Sequence, residues 1–485
     1  MDISVSALPQ RSGRPSSRRP GIARLVIPFT VAIGFMMEQL DGTIITTALP
    51  RMARDFHTSP VTLNIGITAY LLSVALFIPL SGWIADRFGM RRTYICALAM
   101  FTAGSMLCGL ATNIIGFGAM RILQGMGGAM MTPVGRLILL RSFEKSELVT
   151  AMTYMTVPVV IGPVMGPALG GLLTQYLSWH WIFYVNVPIG LAGMLLTWAR
   201  VAEFRQPGVA SFDWGGFCVC GAALATIQFG LQALGMPGGF LATGLVLMVA
   251  GIAALVLFVR WRRLHPYPAL DLGLFRIRSF RIGVLVGGIS RIGLNSIGFL
   301  LPLLLQVGFG FSPTHSGLLT FTSSLGTVII RPLAGRLLRR FGFGRLLAAN
   351  SVVGAAMILP LTLLMPQTPS AVIILLVIGL GIARGLQFTT LNTLIFSDMP
   401  PARFSRSTSL SGMAQQLSMG FGVSASAALL QVIAGPGALP SPGVFRLVLC
   451  CVALLTLAAG PGFLLLRPQD GADVSGFKGK EELLF

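Results

Sequence analysis

Apolar runs of about twenty residues, separated by short polar stretches, recur along almost the whole chain. A helix needs roughly 20 apolar residues to cross the hydrocarbon of a bilayer, so each run is a candidate membrane span. The pattern predicts fourteen spans, at 24–49, 61–84, 93–113, 115–140, 147–173, 181–200, 214–234, 240–260, 282–306, 315–337, 345–365, 370–396, 407–434 and 444–466. An even number returns both termini to one side. The expected fold class is an all-α polytopic membrane protein.

Composition supports this reading. Of 485 residues, 54% are hydrophobic and 10% charged, with a mean hydropathy of +0.81. A soluble chain carries about 25% charged residues, so lipid must solvate much of this surface. The net charge of +20 invites a nucleic-acid reading, but the basic residues sit in short clusters between apolar runs. With the fourteen spans drawn, 27 of the 35 Lys and Arg fall on the side of the termini. Three (Arg51, Arg54 and Arg446) fall on the other, and five lie within spans. Basic loops stay cytoplasmic, so both termini are expected there, in a multi-pass plasma membrane protein of the bacterial inner-membrane kind. The first twenty residues are polar and rich in Ser, Pro and Arg, with no cleavable signal. The six cysteines all fall in apolar windows and are expected to be small buried residues, with no metal site or disulfide framework.

The chain repeats. Gly82-Trp-Ile-Ala-Asp86-Arg87-Phe88-Gly89-Met-Arg91-Arg92 is echoed by Gly335-Arg-Leu-Leu-Arg339-Arg340-Phe341-Gly342-Phe-Gly-Arg345 at an offset of 253, and Ser59-Pro60 by Ser312-Pro313 at the same offset. Arg121-Ile-Leu-Gln124 is echoed by Arg384-Gly-Leu-Gln387 at 263. Two parallel six-helix bundles follow, with the 214–260 hairpin inserted between them. The expected organisation is a tail at 1–23, bundles at 24–200 and 282–466, a linker with hairpin at 201–281, and a tail at 467–485. Repeats of this kind place a substrate site between the halves near the midplane.

Several motifs carry a family resemblance. GWIADRFGMRR at 82–92 resembles the signature loop of the major facilitator superfamily, and RILQGMGGA at 121–129 is similar to its fourth-helix motif. GPVMGPALGG at 162–171 resembles the fifth-helix motif of its antiporters. LDGTIITTALP at 40–50 and WHWIFYVNVPIG at 179–190 resemble its fourteen-span drug:proton antiporter branch, the EmrB/QacA type. Asn186, Pro188 and Asp213 match that branch, whereas His180, Thr46 and Met90 depart from it. The resemblance implies that Gly82, Asp86, Arg87, Gly89 and Arg91 form a conformational latch, with Asp86 reaching the other half. It implies that Gly162, Gly166, Pro167, Gly170 and Gly171 form a helix bend that helps seal an antiporter. The plainer roles are basic residues that fix topology and small residues that let helices approach. Arg339 replaces the acid in the second half, so only the first half would hold the latch.

Within the first span, Glu38 and Asp41 stand three residues apart and share a helix face. An ionised carboxylate at mid-span costs about 2.5–3.5 kcal/mol on insertion scales. Burial and a like-charged neighbour both make a carboxyl group readier to hold a proton. A group that takes a proton on one side of the membrane and releases it on the other is what proton coupling requires. Asp41 matches the family's acidic position, while Glu38 lies outside the motif and is added on chemistry alone. The plainer alternative is that one or both pair with a base and join helices. Ionisable groups inside a membrane are functional by default, so coupling is expected of both. Arg121 matches the family's fourth-helix arginine and is expected to tune the nearby acid.

Arg136 and Arg331 lie near enough to the inner surface to snorkel, whereas Arg291 and Arg384 are deeper. The 253 offset carries Glu38 onto Arg291, so acid and base would occupy matching positions on the two first helices. Gln124, Arg291, Arg384 and Gln387 are the candidate cavity lining. The second half has no acid deep in a span, since Asp398 sits at the end of span twelve. An arginine fork suits carboxylate and phosphate, so anionic or neutral cargo is expected over permanent cations.

The only lysines, Lys145, Lys478 and Lys480, have no Walker-loop context, no HExxH is present, and the four histidines fall in loops or at span ends. Neither ATP nor a cofactor is expected; a proton gradient is the expected drive, and the chain is not expected to be an enzyme. The expected partners are a small-molecule substrate and the lipid bilayer, without nucleic acid; a periplasmic adaptor with an outer-membrane channel is left open. The expected function is a proton-coupled exporter of drug-like or toxic compounds. The alternative is a dedicated exporter of an anionic metabolite such as an organic acid or metal chelate. A receptor on the same fold would add a soluble domain, for which the longest loop, 261–281, is too short.

Overall fold

The computed structural model describes residues 22–475, except 207, 210, 235–240, 262–269, 401–402 and 436–437. Nearly all of the expected N-terminal tail, and the chain from 476, lie outside the described residues. Long helices follow the predicted spans: α1 Ile22–Ile44, α2 Ile65–Phe88, α3 Met90–Gly109, α4 Ile114–Ser142, α5 Lys145–Tyr176, α6 Asn186–Arg200, α7 Trp214–Leu234, α8 Leu241–Trp261, α9 Arg278–Leu303, α10 313–341, α11 343–358, α12 Ser370–Ser397, α13 Phe404–Ala434 and α14 Pro442–Phe463. No strand occurs among the described residues. Local chemistry sets several ends. The Asn113 side chain accepts from Gly116 N at 2.7 Å ahead of α4, and Ser312 accepts from His315 N at 3.2 Å ahead of α10, with Pro313 in the first turn.

The repeat is visible in the backbone. Gly89 (φ 102°) turns the chain between α2 and α3, and Gly342 (φ 69°) turns it between α10 and α11. Both values favour glycine, and the two positions keep the 253 offset. Pro79 inside α2 and Pro332 inside α10 keep it too. Helix α1 packs on α5 and α4 on α2 and α3; correspondingly, α9 packs on α13 and α12 on α10 and α11. The result is two six-helix bundles with the α7–α8 hairpin between them in sequence.

The bundles meet along α5–α10 and α2–α13. Gly171 lies against Pro313, and Gly317 against Pro167, so closely that a Cβ on either glycine would collide with the opposing backbone. Hydrogen bonds cross the seam from Gln306 to Thr47 O (3.1 Å), Gln431 to Thr62 (3.0 Å), Thr314 N to Gln175 (3.1 Å) and Ser324 to Pro163 O (2.8 Å). All lie away from the termini or near mid-span. Nearer the termini no described hydrogen bond or ion pair joins the bundles, and a cleft of about 730 Å³ opens in the second bundle, lined by Arg331, Phe388, Asn392, Phe396 and Phe404 among others.

The hairpin sits over the α2–α13 seam. Gln228 on α7 donates to Gly420 O (3.4 Å) and Ser424 on α13, while Phe217 packs on Phe77 of α2 at 5.7 Å between ring centroids. Helix α8 packs on α7 and leaves most of its apolar surface outward, toward lipid. The cysteines depart from expectation. Cys108 and Cys220 are buried, but Cys96, Cys218 and Cys451 are exposed on apolar helices, where lipid is a suitable surrounding for a thiol.

Candidate functional site

Four helices of the first bundle converge on Arg121. Its Nη1 donates to Asp41 Oδ2 at 2.6 Å and to Gln124 Oε1 at 2.7 Å, and its Nε donates to Gly66 O at 2.9 Å. Gln124 Nε2 donates to the other Asp41 oxygen at 2.8 Å, so both carboxylate oxygens accept. The Tyr70 ring lies under the guanidinium at 4.3 Å, a cation–π contact. Arg121, Asp41 and Gln124 have no exposed surface. Gly104 makes this convergence possible, because a side chain there would meet the Gln124 backbone at 2.7 Å and force α3 away from α4.

Glu38 lies one turn along α1 on the same side, closer to the termini. Its Oε2 accepts from Thr132 Oγ1 at 2.5 Å, and it makes no ion pair among the described residues. The two acids therefore share a helix face without sharing a cavity. Asp41 is sealed with a base, and Glu38, also buried, is held by a hydroxyl. The exposed Arg136, one turn beyond Thr132 on α4, covers Phe35 at 5.9 Å.

In the second bundle, Gln387 repeats the role of Gln124. It donates to Ser290 of α9 at 2.9 Å and accepts from Asn350 of α11 at 2.7 Å. Gln124 bridges α1 and α3 in the matching way, through Asp41 and, at 3.7 Å, Cys108. Both glutamines are buried, which corrects the expectation that they line the cavity: their amides hold helices together. Arg121 is likewise enclosed in its bundle rather than facing a cavity. Arg291 donates to Asn392 Oδ1 at 2.9 Å, and Asn392 lines the cleft. Arg384 is half-buried beside Gly298.

The signature loop is held differently from expectation. The Asp86 carboxylate makes no hydrogen bond or ion pair with the second bundle among the described residues. Arg91 N instead donates to Glu203 Oε1 at 3.1 Å, and Arg91 Nε and Arg92 Nε stand 3.8 and 3.6 Å from Glu203 Oε2. Met90 N donates to Phe204 O (3.0 Å) and Gln206 N to Asp86 O (3.1 Å), so the segment after α6 straps this loop. Arg87 caps the Trp83 ring at 5.2 Å, and Gly82 faces open space. Of the α5 residues, Gly162, Gly166 and Gly170 meet α1, while Pro167 and Gly171 meet α10.

The Major Facilitator Superfamily profile matches residues 31–423. The chain is 37% identical over 435 residues to the MdtD protein of Serratia proteamaculans, covering 88% of this chain and 90% of that one. It is 38% identical over 404 residues to the MdtD protein of Klebsiella pneumoniae, covering 82% and 85%. Both relatives are named for multidrug resistance. Among solved structures, a D-xylose–proton symporter superposes with a TM-score of 0.66 at 15% identity, covering 92% of this chain and 98% of that one. The POT family transporter PepTSo gives 0.66 at 15%, covering 95% and 99%, and these two likenesses speak to the fold alone. On the profile and the relatives together, the chain belongs to the major facilitator superfamily.

Proposed function

We propose that the protein is a proton-coupled exporter of drug-like or toxic compounds, working by alternating access in a bacterial inner membrane. The observation that carries the reading is the sealed Asp41–Arg121–Gln124 cluster. A carboxylate held by a guanidinium and an amide, out of water, exchanges its partner when a proton arrives: protonation removes the charge that Arg121 answers. That couples proton binding to helix contacts among α1, α2 and α4. Glu38, one turn nearer the termini on α1 and hydrogen-bonded to the Thr132 hydroxyl, is the carboxyl group that passes protons between the terminal side and Asp41.

The charge split across the spans supports cytoplasmic termini. With that orientation the seam closes the outer face and the cleft opens inward, a state ready to load cargo from the cytoplasm. The proton gradient supplies the drive. Relatives named for multidrug resistance weigh toward a broad exporter over one dedicated to a single organic acid.

The test is purified protein in liposomes with an imposed pH gradient and a panel of labelled drugs. Uphill accumulation of panel compounds is expected for the native protein and is lost in Asp41→Asn, which retains downhill exchange. Sustained uphill transport by Asp41→Asn overturns the reading.

A further inference from the structure

The two bundles treat their fourth-helix arginines differently. Arg121 stands opposite Asp41. The 253 offset carries Asp41 onto Leu294, a buried leucine, so the second bundle places no carboxylate where Arg384 could pair with it. Among the described residues Arg384 makes no hydrogen bond and no ion pair, and a Cβ on Gly298 of α9 would stand 4.0 Å from its Nη1. Arg291 is 4% exposed, gives Nη2 to Asn392, and leaves Nε without a partner.

No acid is at hand to neutralise them. Residues 278–466 contain twelve arginines and one acid, Asp398, whose carboxylate accepts from Gly471 N at 3.0 Å at the far end of α12. Two guanidinium groups inside a membrane, without a counter-ion, leave a site whose missing component is negative charge. A guanidinium fork matches a carboxylate in two parallel hydrogen bonds, which a cation or neutral amine cannot replace.

Depth and lining narrow the class further. Arg384 is the fifteenth of the 28 residues of α12, about 20 Å along the axis from Ser397, beyond the reach of phospholipid headgroups at the surface. One turn nearer the mouth, Phe388 lines the cleft, and farther out Phe396 stacks on Phe404 at 5.1 Å. The cleft wall thus offers aromatic surface beside the Arg331 guanidinium, and Arg384 lies one turn deeper than Phe388.

We propose that Arg384, one turn deeper than the cleft-lining Phe388, forms an anion subsite at the inner end of the cleft that takes amphiphilic organic carboxylates, with Arg291, held by the cleft-lining Asn392, as a second positive charge along the path to it. The carboxylate sits on the guanidinium and the apolar body lies against Phe388. The proposal rests on the export reading above and names one cargo class for it. It leaves Asp41 and Glu38 to protons and gives cargo recognition to the opposite bundle.

The test compares two probes of one shape and opposite charge, 1-naphthylacetate and (1-naphthylmethyl)trimethylammonium, by equilibrium binding to the purified full chain. Naphthylacetate is expected to bind at least about tenfold more tightly than the cation. Arg384→Gln is expected to weaken naphthylacetate about tenfold or more and leave the cation within about twofold, with partial recovery in Arg384→Lys. Equal or tighter binding of the cation by the native protein overturns the subsite. So does an equal loss of both probes in Arg384→Gln that unfolds at the native temperature. Should Arg384→Gln fail to fold, the native preference and Asn392→Leu, which frees Arg291, decide in its place. Gradient-driven transport of the drug panel is read in parallel. Drugs that still move while naphthylacetate does not bind overturn the subsite alone, whereas naphthylacetate binding without any gradient-driven transport supports the subsite and overturns the export reading.

Discussion

Arg121 Nη1 lies 2.6 Å from Asp41 Oδ2, and neither side chain has any exposed surface. Each charge would be costly there alone, so the pair stands or falls together. Asp41→Asn and Arg121→Gln, which each strand a buried charge, are both expected to lower stability by about 3–5 kcal/mol. The double variant removes both charges and is expected to recover most of that loss. Thermal unfolding of the four proteins in one detergent checks this, and simple addition of the two single losses would contradict it. Gradient-driven transport is expected to vanish in Asp41→Asn and to stay absent in the double variant, because stability is recoverable there and the titrating group is not.

How much of this cluster could be read from the chain follows from what each partner is. Asp41 and Arg121 stand out because ionisable residues interrupt apolar runs, and bilayer thickness makes the spans themselves legible. The Gly66 carbonyl carries no side-chain signal at all. Tyr70 and Thr132 are ordinary residues in membrane helices. The one clue to Thr132 is register: eleven residues after Arg121, about three turns on, it returns to the same face of α4. Gln124 and Gln387 pack between helices for a reason equally hidden in the chain, since a glutamine in a span is visibly polar, but the sequence does not say whether the amide meets a helix or a void. The closed side of the seam is likewise illegible, because one sequence must encode both states of an alternating transporter.

Glu38 is the carboxyl group whose role separates most cleanly from folding. Glu38→Gln keeps an oxygen to accept from Thr132 and removes titration, so stability is expected to change by less than about 1 kcal/mol. Gradient-driven transport is expected to slow by about tenfold and its pH profile to lose one titration step. Thr132→Val, which removes the hydrogen bond and keeps the acid, is expected to shift that step without abolishing it. A native pH profile in Glu38→Gln would leave Asp41 as the sole proton carrier.

Gly317 sets the closure of the seam. A side chain there collides with the Pro167 backbone. Gly317→Val is expected to disfavour the closed arrangement by about 1–3 kcal/mol, the usual cost of overpacking. That shifts the balance of the two states by about 5- to 150-fold. A cysteine introduced at Gln306, in a background without the native cysteines, reports it through a membrane-impermeant thiol reagent applied from the side away from the termini. Labelling is expected to rise in Gly317→Val, and an unchanged rate would mean that the seam closes by other contacts.

Gly89 and Glu203 offer a way to separate backbone strain from charge in the loop between α2 and α3. At φ 102° a non-glycine residue is strained by about 1–3 kcal/mol whatever surrounds it. A Cβ at Gly89 would also collide with the Glu203 carboxylate. Glu203 itself is partly exposed, so its pairing with Arg91 and Arg92 contributes only about 0–1 kcal/mol. Gly89→Ala is therefore expected to destabilise more than Glu203→Gln. The informative variant is Gly89→Ala with Glu203→Ala, which opens the space and leaves the dihedral unchanged. If strain dominates, the double variant stays close to Gly89→Ala in thermal unfolding; if the collision dominates, it returns most of the way to native. The first outcome is expected, because a carboxylate at the end of a flexible side chain moves aside more readily than a backbone held by Met90 N to Phe204 O and Gln206 N to Asp86 O.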